Sequence, residues 1–119
     1  MQYLMITASA ADGEPQYETE AEILADVNVW LDYAISKNAR VLGNRLRPIA
    51  DAVVVRSRDG ETLVTDGPFA EAKEFIGGFD VLECESLEDA IDVVSRHPAA
   101  RTGRIQLLPT WPIPGTTDR

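Results

Sequence analysis

Apolar residues along this chain fall into short blocks whose spacing switches between the period of a strand and that of a helix. Residues 2–8 form a brief apolar run rich in β-favouring side chains and bounded by small and turn-forming residues at 10–15, which predicts a first strand. Apolar positions then recur at helical spacing as Ile23, Val27, Trp30, Leu31 and Ala34, while Glu20, Asp26 and Lys37 fall largely on the other side. Thr19 followed by Glu22 has capping-box spacing, so the helix opens there, and it should stop near Asn38. Trp30, inside the apolar stripe, is expected to anchor the core rather than to bind a ligand.

A second strand is expected at 40–46, with Gly43 as a bulge or a point of close approach. Two short β-rich segments, 52–56 and 62–65, flank the hairpin signal Arg58-Asp59-Gly60. A single helical turn is expected at 70–75, and a strand at 79–84 follows the Gly77-Gly78 pair. Ser86 with Asp89 opens a second helix whose stripe reads Leu87, Ala90, Ile91 and Val94. Pro98 bars its continuation, leaving His97 in its last turn or just beyond. A last strand at 104–108 precedes Pro109, Pro112 and Pro114, which make the tail an extended arm.

These elements are two strand-helix-strand halves with a hairpin between them. Right-handed crossovers in both halves predict an α+β, ferredoxin-like βαβ-hairpin-βαβ fold with an antiparallel sheet and helices on one face. The strands are apolar at nearly every position, so the other face should be covered by a second copy in a homodimer. The expected organisation is one domain over residues 1–110 and a proline-rich tail over 111–119.

Composition narrows the classes of function. A chain of 119 residues has room for one domain, and by size scaling it buries about two-thirds of its surface. Twenty acidic against 11 basic residues give a formal charge of -9, a field that repels phosphate backbones and disfavours direct nucleic-acid binding. The opening Met1-Gln2-Tyr3-Leu4-Met5-Ile6 is too short and lacks a basic leader for a signal peptide or membrane span, so a cytoplasmic protein is expected. Cys84, the single cysteine, sits in an apolar strand between Glu83 and Glu85, surroundings that suit a small core residue and not a nucleophile.

Candidate chemistry follows from the topology. Asp66, His97, Arg45 and Arg47, from four separate parts of the chain, should reach the end of the sheet where strand 79–84 begins, beside the exit of the first strand. A histidine, a carboxylate able to orient it and arginines able to hold an anion make a plausible acid/base site. A position at a helix C-terminus would favour the imidazolium form of His97. Both residues also have structural readings: a histidine before proline at a helix end serves as a cap, and Asp before Gly-Pro is a turn former. Glu71 reads as part of a solvated face. No metal site is expected, since one histidine, no paired cysteines and no acidic cluster at ligand spacing fall short of one. No nucleotide cofactor is expected either, because Gly77-Gly78 leads into a strand.

The densest stretch is Asp66-Gly67-Pro68-Phe69, then Glu71, Lys73-Glu74 and Ile76-Gly77-Gly78-Phe79. It resembles the signature of the YCII-related, or DGPF-domain, family, and the likeness extends to Gly43, Leu46 and Pro48 and to Leu87, Ala90, His97-Pro98 and Gly103. The resemblance implies a ferredoxin-like domain that dimerises in the manner of the dimeric α/β-barrel proteins, in a family of largely unassigned activity, some members of which accompany sigma factors. Topology and resemblance together make Asp66 and His97 the catalytic candidates; topology adds Arg45 and Arg47, and the signature Phe69, Lys73 and Glu74, as ligand-binding candidates, although Phe69 also reads as a core plug. In relatives the last strand resembles Val-Glu-Val-Arg-Pro, whereas Ile105-Gln106-Leu107-Leu108-Pro109 lacks its acidic and basic residues. Two functions are therefore expected: a small enzyme using His97 and Asp66 on a small anionic or carbonyl substrate, or a non-catalytic ligand-sensing module, a partner in sigma-factor regulation.

Overall fold

The computed structural model describes residues 1–8, 19–67 and 76–115. The helical turn expected at 70–75 lies outside them. Among the described residues, six strands and three helices run in the order β1 (Gln2–Ala8), α1 (Glu20–Ser36), β2 (Arg40–Arg45), β3 (Val53–Arg58), β4 (Glu61–Asp66), β5 (Ile76–Glu83), α2 (Leu87–Ser95), α3 (Pro98–Thr102) and β6 (Arg104–Pro109), with a 3-10 turn at Ile49–Asp51. The main sheet is ordered β2-β5-β1-β6 with every neighbouring pair antiparallel. That order is the ferredoxin-like α+β arrangement, in which each strand-helix-strand half contributes one central and one edge strand.

The helix-facing side of the sheet carries Tyr3, Met5, Asp80 and Leu82, and register explains why: Tyr3 lies opposite Leu82 and Met5 opposite Asp80. Trp30 and Ala34 of α1 and Ala90 of α2 close this core from above. Both helices begin as their sequences direct, Thr19 Oγ1 accepting from Glu22 N–H at 3.2 Å and Ser86 Oγ from Asp89 N–H at 3.1 Å. The other side presents Leu4, Ile6, Phe79, Val81, Leu42 and Leu108. Of these, Leu42 is 50% and Leu108 38% exposed.

Four details differ from the sequence expectation. The inward face of α2 is Ala90, Val93 and Val94, whereas Leu87 and Ile91 are about half exposed. The helix is turned so that Val93 meets Trp30, whose indole Nε1–H donates to the Val93 carbonyl at 2.8 Å. Strand β5 starts at Ile76, not Phe79, because Gly78 pairs with Thr7 and Arg45 across both neighbours. A Cβ on Gly78 would stand 2.9 Å from the Asn44 carbonyl, a closeness that only glycine permits. The hairpin turn is two residues, Asp59 (φ 53°) and Gly60 (φ 80°), the left-handed pair of a type I′ turn. Finally, Pro98 does more than end α2: its fixed φ and missing N–H suit the first position of a helix, and it starts α3.

Candidate functional site

His97 is set by that last feature. It is extended (φ -74°, ψ 138°) between α2 and α3, and its Nδ1 accepts the Ala99 N–H at 2.9 Å, capping α3. The edge of the ring meets Trp30, the two centroids 4.8 Å apart and the planes inclined by 71°. The imidazolium expected from a helix C-terminus does not hold. Burial pushes the His97 pKa down from 6.5 to about 4. An Nδ1 that accepts a hydrogen bond at the start of a helix also has no place for a second proton. The ring is thus neutral, with its proton on Nε2, and Nε2 has no protein partner among the described residues.

His97 lines a cavity of about 580 Å³ between α1 and the helix-facing side of the sheet. Its walls are mainly apolar: Ile23, Leu24 and Val27 on the first turns of α1, and Trp30 deeper. Polar groups converge at a few points. Thr7 Oγ1–H donates to the Gly78 carbonyl at 3.3 Å. At the rim, Arg45 Nη1 reaches Glu20 Oε1 at 3.0 Å, tying the end of β2 to the first turn of α1 with both side chains exposed. Deeper lies an ion pair that the sequence reading missed. Arg40 Nε donates to Asp80 Oδ1 at 2.9 Å and its Nη2 to the Gly43 carbonyl at 3.0 Å.

Asp80 is 8% exposed, and burial raises its pKa, an effect that the hydrogen bond and the charge of Arg40 oppose. Gly43 makes room for the pair, since a Cβ there would meet the Asp80 carboxylate and stand 2.7 Å from the Phe79 carbonyl oxygen. The second carboxylate oxygen, Oδ2, has no partner among the described residues. It is not sealed in either, because no buried side-chain oxygen or nitrogen among these residues lacks a hydrogen bond. A signal for Asp80 was present in the sequence: it shares the inward parity of Leu82 and Cys84, and a carboxylate there demands a partner.

The sequence-derived candidates divide. His97 and Arg45 meet at the cavity together with Thr7, as the topology required. Asp66 closes β4 on the exposed hairpin, does not line the cavity and makes no contact with His97. Arg47 is also exposed and pairs with Asp51 at 3.0 Å. Phe69, Lys73 and Glu74 lie outside the described residues. Cys84 is buried in the core, with a thiol pKa raised first by burial and then by Asp89 and Glu83.

Fold and site together define a ferredoxin-like α+β domain with a cavity of small-molecule size between helix and sheet. The chain belongs to the YCII-related domain family, whose model matches residues 1–114. Over 48 residues it is 50% identical to an uncharacterised protein of Rhizobium meliloti (strain 1021), a stretch that makes up 40% of this chain and 39% of that protein. The match thus spans about two-fifths of the relative's length. Among the described residues no helix is long and apolar enough to cross a membrane.

Proposed function

We propose that the cavity binds a small molecule with an apolar body and a carbonyl end, and that neutral His97 donates from Nε2 to the carbonyl oxygen. The observation that carries this reading is the Ala99 N–H on His97 Nδ1, which leaves the ring one outward donor. Its volume falls in the range of small-ligand sites, roughly 300–1,000 Å³. Between an anionic and a carbonyl substrate, the electrostatics favour the second. Arg40 and Arg45 each already face a carboxylate, and His97 adds no charge. Among the described residues, no cavity-lining cation lacks a carboxylate partner. The partner of His97 in this reading is not Asp66, which the hairpin holds away from the cavity.

Trp30 lines the cavity, so its fluorescence reports on occupancy once the exposed Trp111 is replaced by Phe. Ketones and aldehydes with apolar bodies should quench it. His97→Asn keeps an excellent helix cap while removing the Nε2 donor, and it should weaken those ligands roughly tenfold, the worth of one hydrogen bond. Carboxylates binding more tightly than the matching carbonyl compounds would overturn the reading.

The same reading includes a homodimer joined through the open sheet face. Support comes from the row Leu4, Val81 and Leu42, adjacent across three strands on that face.

A further inference from the structure

We infer that Asp80 is the proton-accepting residue of this cavity, acting on a carbonyl compound that carries a proton on the carbon next to its carbonyl. The inference rests on the carbonyl reading above and adds the reaction to it. Two observations independent of His97 point to Asp80. The carboxylate is oriented through one oxygen: Arg40 holds Oδ1 and is itself braced on the Gly43 carbonyl, which leaves Oδ2 without a partner among the described residues. And the chain reserves space for this arrangement, since any side chain at position 43 would collide with the carboxylate. A buried ion pair is often replaceable by apolar residues at no loss of stability, so packing alone does not call for one here. Here the pair sits in the wall of a cavity that also holds the neutral imidazole donor of His97. Burial also makes the carboxylate a stronger base, as proton removal requires.

The step balances without a co-reactant. Asp80 Oδ2 takes the proton from the α-carbon, the C–H electron pair becomes the new carbon-carbon π bond, and the carbonyl π pair moves onto oxygen. His97 Nε2–H hydrogen-bonds the resulting enolate oxygen, as a neutral imidazole does for developing negative charge. Return of the proton from Asp80 to carbon regenerates the ketone or yields its isomer.

The test is deuterium exchange at the α-carbon, followed by proton NMR in heavy water, for a set of aryl and alkyl ketones and aldehydes with α-protons, alongside the Trp30 binding assay. Wild-type protein should accelerate exchange for those members that quench Trp30. Asp80→Asn, nearly isosteric and still able to accept from Arg40, should bind them within a few-fold but lose the acceleration. Asp80→Glu, which keeps the charge and shifts the carboxylate by one methylene, should lose about a hundredfold and gives an answer should the asparagine variant fail to fold. Ligands that bind without exchange, or variants that exchange as fast as wild type, would overturn the role of Asp80 and leave the binding reading standing. Absence of any binder in the set would overturn both.

Discussion

His97 couples a cap, a core contact and a chemical group in one side chain, and pH separates these roles. In the unfolded chain it takes up a proton near 6.5, while in the fold it resists until about 4. Between those values the unfolded state binds more protons, so stability is fully present above 6.5 and is lost as pH falls through the window. The full shift corresponds to about 3 kcal/mol as an upper bound, since the ring is partly hydrated. His97→Asn keeps the cap without the titration. Between neutrality and pH 4, the unfolding free energy from urea titrations should therefore fall further for wild type than for the variant, by roughly 2 kcal/mol. Equal losses would mean that the imidazole protonates in place and that its Nδ1 does not hold α3.

Among the elements, α1 and α2 are joined by polar contacts as well as packing. Trp30 Nε1–H reaches the Val93 carbonyl across the core, and the Tyr33 hydroxyl donates to Asp92 Oδ2 at 2.6 Å with the Arg96 guanidinium 4.4 Å from the Tyr33 ring centre. Trp30→Phe should cost about 2 kcal/mol, combining the lost indole volume with a Val93 carbonyl that keeps only the longer 3.4 Å bond from the Arg96 N–H. It should also raise the His97 pKa toward 6.5, because the indole that helps to bury the ring is gone. Denaturant unfolding and an NMR titration read the two effects separately, and an unchanged His97 would show that Trp30 does not contribute to its burial. The element-level fold was legible because each half announces itself locally: Thr19 and Ser86 as caps, Asp59-Gly60 as a turn, short apolar runs as strands. The site was less so. Position 97 reads as the end of one helix, and only the preference of proline for a first helical turn hints at the next. Arg40 and Asp80 stand 40 residues apart, and the bulge in β2 that pairs them has no signature beyond Gly43. Asp66 stands beside a conspicuous turn, yet the hairpin that carries it forms a separate sheet.

For the whole molecule the unresolved surface is the open sheet face. Four strands about 4.8 Å apart and about seven residues long give a footprint of roughly 19 by 23 Å, under the ~800 Å² per partner of a stable dimer. The hairpin can extend it: every residue of β3 and β4 except Val54 is exposed, Val55 and Val64 at about 60%, and a two-stranded ribbon is marginal without cover. A radius of gyration of 16.5 Å, against ~13.5 Å for a compact domain of this length, fits an element that projects to meet a partner. Wild-type protein should therefore run in light scattering at twice the 13.1 kDa chain mass. Val81→Glu puts a charge between Leu4 and Leu42 at the centre of the face and should give a folded monomer, with the Trp30 binding signal separating cavity from interface. Salt supplies a second sign. Each chain carries a formal charge of -9, so two copies repel at long range, and raising the ionic strength from low to physiological should tighten the dimer by screening that repulsion. An association held by cross-chain ion pairs would loosen instead. A wild-type protein that stays at 13.1 kDa at micromolar concentration in both conditions would remove the second copy from the argument and leave the open face to another partner.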